Sequence, residues 1–446
     1  MSNSLPSSWA IVSLLDVAPL VPTGVPNFTG EVEYYSTGSV QEGGLSSEGR
    51  YTFESRPSRA NRWTKPGDVL QARMQGTSKP LLVHASIADK LFSTGFIQLR
   101  PDPRFCNPGF LRHYIASKVF LDDRDSLATG STQIALTDAG VRGLEIPLAP
   151  LNEQRRIVAK LEKLLTKVDA CQHRLGKIPV LLNRFRQSVL AAACSGKLTA
   201  DWRDERGVEM DGWKEATLED VADLRLGKML DKAKNVGNPT RYLRNLNVRW
   251  FAFDFADLAT MRATSKDRAE LAIKDGDLLV CEGGEPGRCA VWNLGVTDLI
   301  FQKAIHRVRL TDNVKPHWLA FNIRNDANSG RLEGYFTGTT IKHLTGKTLS
   351  TYRFALPLLP EQQEIVRRVE ALFNKADEIE ARFKKAKAFV DKLTQSILSK
   401  AFRGELVPTE AELASREGRS YEPASELLSQ IKSHRESEKK KHSKKK

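Results

Sequence analysis

The amino-acid sequence predicts an α+β fold in which two globular domains are separated by an antiparallel coiled coil of two long helices. Two observations support this prediction. Residues 153–198 match residues 361–406 position by position and without a gap, which gives the chain a pseudo-two-fold internal repeat. Within each copy, apolar residues recur at alternating steps of four and three, which is the heptad spacing of a coiled coil.

Each copy predicts one long helix with a narrow apolar stripe. Such a stripe is buried only against a partner of similar length, and the other copy is the simplest partner. Gly196 and Gly404 follow the last apolar positions, as glycine commonly does at helix C termini. Gly176 and Pro179 predict a kink or a broken turn in the first helix. The stripes consist of Ile157, Leu161, Leu164, Val168, Cys171, Leu175, Ile178, Leu182, Phe185 and Val189, and of Ile365, Val369, Leu372, Ala376, Ile379, Phe383, Ala386, Val390, Leu393 and Ile397.

The repeat extends into the segments that precede the two helices. Thr129 and Gly130 match Thr337 and Gly338 at the same offset as the helices, and weaker matches lie further upstream. Two copies of a common framework with different contents indicate two sites of one kind that recognise different things. The predicted segments are residues 1–146 for the first domain, 147–202 for the first long-helix repeat, 203–355 for the second domain, 356–408 for the second repeat and 409–446 for a polar C-terminal extension with a basic tail.

The composition is that of a soluble globular protein with a polyanionic partner. The 446 residues are 27% charged and carry a net charge of +14, which favours nucleic acid as the partner. No run approaches the ~20 apolar residues of a membrane span, and no signal peptide is evident, so we expect a cytoplasmic protein without membrane contact. The tail Glu438–Lys446 is expected to be too polar to fold.

Enzyme motifs are incomplete in this sequence. The segment TGKT at Thr345–Thr348 resembles the end of a phosphate-binding loop, but Ile341 stands where the first glycine is required. The segment Glu282–Arg288 is rich in glycine but lacks the GxGxxG pattern of a dinucleotide site. The five cysteines lack zinc-ligand spacing, and the scattered histidines are more typical of core or surface positions. No catalytic residue and no metal ligand is therefore assigned, and the chain is predicted not to be an enzyme.

At this point the chain resembles a known family, the specificity subunits of type I restriction-modification systems. The resemblance covers nearly the whole chain. It implies a non-catalytic subunit that recognises a bipartite asymmetric target in double-stranded DNA and binds two methyltransferase subunits and two restriction subunits. It also implies that S-adenosylmethionine, ATP and magnesium bind those partners, with no cofactor in this chain. The segments that carry the resemblance are residues 147–170, 184–203, 241–250, 276–292, 301–310 and 357–373.

Two other functions remain open at this stage. One is a free-standing DNA-binding regulator with the same fold and without restriction partners. The other is an enzyme that combines recognition with its own chemistry, which the missing methyltransferase and nuclease motifs disfavour.

Candidate DNA-binding residues follow two predicted strands or crowd into one basic segment. Arg can bond guanine and Asn or Gln can bond adenine in the major groove, whereas Lys mainly binds phosphate. The alternative interpretation is that many of them are solvated charges or turn-forming polar groups. The candidates are Arg73, Gln75, Lys79, Arg241, Arg244, Asn245, Asn247, Arg249, Glu282 and Arg288.

Overall fold

The computed structural model describes residues 5–41, 44–209, 212–231 and 233–443. The chain divides into two compact units. The first unit comprises Met1–Leu175 and Ala386–Lys446, and the second comprises Gly176–Lys385. Each unit therefore contains one globular domain together with part of each long helix.

Short strands and short helices build the first globular domain, which is followed by a long helix. The elements are β1 (Ala10–Ser13), α1 (Leu14–Val17), β2 (Val32–Tyr35), β3 (Val40–Gln41), β4 (Gly44–Leu45), β5 (Gly49–Tyr51), β6 (Arg62–Trp63), β7 (Val69–Ala72), β8 (Leu81–Leu82), β9 (Leu91–Phe92), β10 (Phe96–Leu99), α2 (Pro108–Tyr114), α3 (Lys118–Ser126), α4 (Asp138–Val141), β11 (Glu145–Leu148), the long helix α5 (Leu151–Cys194) and α6 (Ala200–Asp204).

The second half of the chain has a similar order and ends with one further helix. The elements are β12 (Lys214–Thr217), α7 (Leu218–Val221), β13 (Ala222–Leu226), β14 (Asn238–Leu243), β15 (Val248–Arg249), β16 (Ala252–Phe253), β17 (Ala259–Ala263), α8 (Ser265–Glu270), β18 (Leu278–Cys281), β19 (Cys289–Val291), β20 (Ile300–Phe301), β21 (Ile305–Leu310), α9 (Pro316–Ser329), α10 (Gly346–Ser350), β22 (Arg353–Leu356), the long helix α11 (Leu359–Phe402), α12 (Glu410–Glu417) and α13 (Ala424–Ser443).

The two globular domains share their strand pairings. In each domain the first and last strands form an antiparallel pair, β1 with β11 and β12 with β22. The antiparallel pair β7–β10 recurs as β18–β21, and the parallel pair β2–β9 recurs as β14–β20. These pairings extend the internal repeat into parts of the domains where the sequences show little similarity. We call the common pairings and turns the shared framework.

A buried aspartate fixes the entry to the central strand of each framework. Asp68 precedes β7 and Asp277 precedes β18, and both side chains are buried. Arg100 Nε donates to Asp68 Oδ1 at 2.6 Å, and Arg309 Nε donates to Asp277 Oδ1 at 2.7 Å. Each aspartate also accepts a backbone N–H three residues upstream, at 2.8 Å in the first domain and 2.7 Å in the second. These bonds satisfy the buried carboxylates and hold the turn before each strand.

The two long helices run antiparallel. In the first unit, Ile157 near the start of α5 lies in the same core as Ile397 near the end of α11. In the second unit, Val189 near the end of α5 lies in the same core as Ile365 near the start of α11. The predicted fold class, with antiparallel long helices and an internal repeat, is therefore confirmed.

The apolar stripe is buried mainly toward the ends of the helices. Cys171, Phe185 and Ile379 are exposed, contrary to the prediction of a continuous buried stripe. Stripe residues near the helix ends also pack against a globular domain, whereas a contact between two helices covers only one side of each.

Helix α5 continues without a break through Pro179, so of the two predicted outcomes the broken turn is wrong and the kink stays a prediction. A proline removes one backbone donor, and the hydrogen bonds of the neighbouring turns keep the helix continuous. The predicted C-terminal glycines are confirmed, because Gly196 and Gly404 have left-handed φ angles of 74° and 76° just beyond the two helices.

A buried glutamine at the start of each long helix binds the backbone of its own globular domain. Gln154 and Gln362 are fully buried and use both ends of the side-chain amide. In each case the amide oxygen accepts one backbone N–H, and the amide nitrogen donates to two carbonyl oxygens. The partners of Gln154 are Asn107 N at 2.8 Å, Phe105 O at 3.2 Å and Ala149 O at 2.8 Å, and those of Gln362 are Lys315 N at 2.8 Å, Asn313 O at 3.0 Å and Pro357 O at 2.8 Å.

The glutamate before each glutamine joins the N terminus of a long helix to a tryptophan. Trp9 Nε1 donates to Glu153 Oε1 at 2.8 Å, and Trp213 Nε1 donates to Glu361 Oε2 at 2.8 Å. Burial raises the pKa of Glu153, while its hydrogen bonds oppose that rise. Both carboxylates lie in the first turn of a helix, where the helix dipole favours negative charge.

The segment after each long helix also reaches this glutamate. In the first unit, Glu153 Oε2 accepts the backbone N–H of Glu410, the first residue of α12, at 2.8 Å. In the second unit, Thr199 donates to Glu361 Oε1 at 2.7 Å, and Arg203 of α6 forms an ion pair with the same carboxylate. Each glutamate therefore connects a tryptophan, a long-helix N terminus and the chain that follows the other copy of the helix.

The C-terminal extension folds onto the first globular domain. Ala424, Leu427 and Ile431 of α13 are buried in the same core as Trp9. The helix continues to Ser443, so the prediction of an unfolded tail is wrong for Glu438–Ser443. A helix that is already nucleated by packed turns propagates readily through Lys and Glu. Residues 444–446 lie outside the described residues.

Replacing Gln362 with alanine is expected to destabilise the second unit by about 1–3 kcal/mol, because a buried N–H and two carbonyl groups lose their partner. The adjacent variant Q363A is the matched control, since Gln363 lies exposed on the same helix. Urea unfolding followed by circular dichroism measures both. Equal losses in the two variants would contradict the role given to Gln362.

Candidate nucleic-acid interface

Two loops meet at the same place in each unit. One is the strand-end loop that follows the buried central strand, residues 73–79 or 282–288. The other is the TG turn, residues 129–135 or 337–343. Leu136 N donates to Arg73 O at 2.8 Å, and Leu344 N donates to Glu282 O at 2.8 Å. The shared framework therefore brings a strand-end loop and a TG turn together twice.

The two TG turns have the same geometry. Thr129 and Ala135 exchange backbone hydrogen bonds at 3.0 Å, and Thr337 and His343 exchange them at 2.8 and 2.9 Å. The turn requires glycine at its second position: a Cβ on Gly130 or Gly338 would lie 2.3 Å from a backbone oxygen, and both φ angles are positive, at 132° and 88°. The tips, residues 131–134 and 339–342, are exposed, so each turn presents polar side chains and one isoleucine, Ile134 or Ile341, to solvent.

The side chains of the three DNA-binding candidates in the first unit have different environments. Arg73 points inward, where it donates to Phe96 O at 3.1 Å and Leu136 O at 2.9 Å and forms an ion pair with Asp138. Lys79 donates through Nζ to the backbone oxygen of Val40. Gln75 is exposed beside the TG turn, and its backbone N–H bonds Ile134 O at 3.0 Å. Gln75 is the candidate of this unit whose side chain faces solvent.

Three candidates of the second unit bond backbone groups of their own unit, and two of them, Arg288 and Asn245, hold the strand-end loop. Arg288 Nη2 donates to Asn245 O at 2.7 Å, and Asn245 Nδ2 donates to Gly283 O at 3.3 Å. Asn247 is fully buried, and its Nδ2 donates to Asp254 O at 2.8 Å and Asp257 O at 2.9 Å. The arrangement favours structural roles for these polar groups over base contact, which is the alternative interpretation left open by the sequence.

The remaining arginines of the basic segment are paired with aspartates. The distances are 3.1 Å for Arg241 with Asp298, 2.5 Å for Arg244 with Asp257 and 3.2 Å for Arg249 with Asp254. Arg241 and Arg249 are half exposed, whereas Arg244 is more buried. Exposed ion pairs of this kind contribute little to stability and exchange partners at small cost, so Arg241 and Arg249 remain able to bind phosphate.

Glu282 lines an open pocket of about 370 Å³ in the second unit. Its carboxylate lies 3.3 Å from His306 Nε2 and 4.0 Å from His343 Nδ1. Burial lowers the pKa of His306, so this ring is neutral near physiological pH. The other residues that line the pocket are Met229, Leu230, Gly283, Gln302, Lys303 and Ala304.

Of the residues that line this pocket, the sequence singled out only Glu282 as a DNA-binding candidate. The repeated TG turn was a sequence signal that could have identified His343 as a residue beside the strand-end loop. The contribution of Met229 and Leu230 depends on the close approach of Gly227 to a turn: a Cβ on Gly227 would lie 2.2 Å from Gln302 O. That approach joins segments far apart in the chain, and no local pattern indicates it.

The profile of the type I restriction modification DNA specificity domain matches residues 6–179 and again residues 210–387. Each match contains one strand-end loop and one TG turn. The chain belongs to this family.

Specificity subunits of other type I restriction enzymes are similar to this chain over most of its length. The specificity subunit of the type I restriction enzyme EcoKI from Escherichia coli strain K12 is 30% identical over 425 residues, which cover 91% of this chain and 90% of that subunit. The StySPI specificity subunit from Salmonella potsdam is 32% identical over 322 residues, which cover 69% of this chain and 67% of that subunit.

Solved structures share the fold of this family member. The HsdS subunit from Thermoanaerobacter tengcongensis has a TM-score of 0.63 at 24% identity, with 90% of this chain and 98% of that chain covered. A chain from a solved type I R-M system has a TM-score of 0.72 at 22% identity, with 90% and 99% covered.

Other kinds of site are not evident in the part of this family member that the structure describes. Within those residues, no three His, Cys, Asp or Glu side chains are grouped so that they could hold a metal ion. No helix there is both long enough and apolar enough to cross a membrane.

Replacing Gly338 with alanine is expected to open the TG turn of the second unit, because the added Cβ meets the Ile341 carbonyl oxygen and φ is left-handed. The cost should be about 1–3 kcal/mol, seen as faster amide hydrogen exchange at Thr337 and His343. The control is G334A, where a Cβ has no neighbour within 4 Å. If both variants protect these amides equally, the turn does not depend on Gly338.

Proposed function

We propose that this chain is the sequence-specific DNA-recognition subunit of a type I restriction-modification complex. The observation that carries the proposal is the repeated pairing of a strand-end loop with a TG turn, in a chain whose two halves both match the DNA specificity domain. Because the backbone of this surface is repeated and its side chains differ, each unit would recognise its own DNA sequence. The target would then be bipartite and asymmetric, with residues 1–146 and 203–355 as the two recognising domains.

The candidates differ in their environments. Gln75 is exposed and available for base edges, and Arg241 and Arg249 are half exposed and available for phosphates. The Glu282 side chain is only 17% exposed, but it lines an open pocket through which a base edge could reach it. The net charge of +14 adds an attraction for DNA that does not depend on sequence. The other candidates would act through the loops that they hold, and these are Arg73, Lys79, Arg244, Asn245, Asn247 and Arg288.

The chain itself would carry out no chemistry. Two methyltransferase subunits would bind it and supply the S-adenosylmethionine sites, and two restriction subunits would supply ATP-dependent and magnesium-dependent activity. Membership of a DNA specificity family supports this arrangement. The assembly would work in the cytoplasm, away from membranes.

Coexpression with a candidate methyltransferase subunit tests the proposal. A stable complex that methylates one split DNA motif on both strands is expected, and methylation should vanish when the gene for this chain is deleted. A chain that binds DNA, forms no such complex and leaves genomic methylation unchanged would instead be the free-standing regulator. Methyl transfer by the isolated chain would show that it is an enzyme.

The variant Q75A is expected to relax base preference in one half of the target and to leave the other half unchanged, since Gln75 lies in the first unit. The change should be roughly tenfold at one position, the usual scale of a lost bidentate contact. Methylation of a randomised target library by the reconstituted complex measures it. Q172A, an exposed glutamine on α5, is the control and should leave both halves unchanged. Unchanged preference in Q75A would remove Gln75 from the base-reading surface.

A further inference from the structure

We infer that the Glu282 pocket receives the major-groove edge of one base, and that Glu282 accepts a hydrogen bond from an exocyclic amino group, with cytosine as the preferred base. The inference rests on the proposed function and assigns one specificity-determining residue within it. It is carried by the fixed position of Glu282, by the state of its carboxylate and by the chemistry of the pocket walls.

The backbone of Glu282 is fixed on both sides. Its N–H donates to Ala304 O at 2.9 Å, and its carbonyl accepts from Leu344 N at 2.8 Å. The loop that follows is equally constrained, because a Cβ on Gly284 would lie 2.7 Å from Asn245 Nδ2 and φ there is +82°. The carboxylate therefore stands on a rigid support, which geometrically selective hydrogen bonding requires.

The carboxylate of Glu282 retains its capacity to accept hydrogen bonds. Among the described residues its ion-pair partners are histidines, and no Lys or Arg lies within 4.0 Å of it. The buried His306 is neutral and also donates through Nε2 toward Leu344 O at 3.1 Å. The nearby Glu285 differs, because it forms an ion pair with Arg288 at 3.0 Å and accepts from Trp250 Nε1 at 2.6 Å. The Glu282 side chain is only 17% exposed, against 48% for Glu285, but it lines the open pocket and has no cationic partner among the described residues. An incoming donor would therefore reach it through the pocket.

The walls of the pocket suit a base beside a phosphate. Met229 and Leu230 are adjacent, 60% and 52% exposed, and both line the pocket. They form an apolar wall next to the carboxylate, while Lys303 provides a cation that can bind phosphate. An apolar wall, an acceptor and a cation at one opening match a nucleotide better than a purely ionic ligand.

A carboxylate discriminates strongly among the four bases. Guanine presents two acceptors in the major groove and thymine presents one, so both repel Glu282. Adenine presents an amino donor beside the N7 acceptor, which opposes the second carboxylate oxygen. Cytosine presents its N4 amino group as a donor and no acceptor of its own. The order of preference is therefore cytosine, then adenine, with guanine and thymine least favoured.

The equivalent position in the first unit has a different chemistry. Leu136 bonds the backbone of Arg73 as Leu344 bonds that of Glu282, so the two residues occupy matching places in the shared framework. The Arg73 side chain is held by Asp138 and by two carbonyl oxygens. Of these two matching positions, only the one in the second unit carries a carboxylate that could accept a hydrogen bond from a base.

The substitution E282Q tests the inference in the complex of the full chain with its methyltransferase subunits. Glutamine keeps the shape and can bond adenine N6 and N7 together. At one position of the half-target read by the second unit, the preferred base should change from cytosine to adenine, with a change in relative methylation rate of about tenfold or more. E282A should lose discrimination at that position and gain no new preference. The readout is sequencing of a methylated library in which every target position is randomised.

The control is D312N, which removes the same charge from an exposed aspartate beyond the far end of β21, about 20 Å along the strand from His306. It should leave every base preference unchanged. The inference would be wrong if E282Q lowered methylation of every sequence equally, or if it kept the base preference of an active wild-type complex. Either result would leave the proposed function unaffected. A wild-type complex that methylates no sequence would overturn the proposed function, and the inference with it.

Discussion

The buried Glu–Gln pair at the start of each long helix is the constraint on which the rest of the structure depends. Gln154 and Gln362 bind three backbone groups of their own globular domain each, and the preceding glutamate binds a tryptophan and the chain that follows the other helix copy. Leaving such buried groups without partners costs about 1–3 kcal/mol each, comparable to a large share of a domain's net stability. The pair therefore fixes the position of each globular domain on the long-helix segments of its own unit.

This fixed attachment allows the side chains of the recognition surface to change while the fold stays the same. The strand-end loops and TG turns are joined by backbone hydrogen bonds, which do not depend on the identity of Arg73 or Glu282. Only positions with special backbone geometry, such as Gly130 and Gly338, are tied to one residue type. A surface whose frame is set by backbone and whose side chains vary can acquire a new base preference without a new fold.

The sequence predicted the parts that have a period or a repeat. Heptad spacing over many turns identified both long helices, and the repeat identified the paired domains, because these signals are local and are reinforced by duplication. The sequence did not show that Asn247 is buried or that Arg288 supports a loop, since composition alone does not tell which side of a turn faces solvent. It also could not predict the Glu282 pocket, because that pocket joins segments around residues 229, 283, 303 and 343.

An acidic residue such as Glu282 is favourable on a DNA-binding surface only if the affinity for DNA and the specificity for bases come from different groups. A chain with a net charge of +14 is already attracted to any DNA, and one carboxylate reduces that attraction slightly. Near the wrong base, however, the same carboxylate loses its hydration and meets an acceptor, which is costly in a partly enclosed site. Glu282 therefore contributes mainly by rejecting bases, while the distributed positive charge holds the DNA in place. A basic protein gains specificity from an acidic residue because the attraction it gives up is small and independent of sequence, whereas the rejection acts at one position of the target.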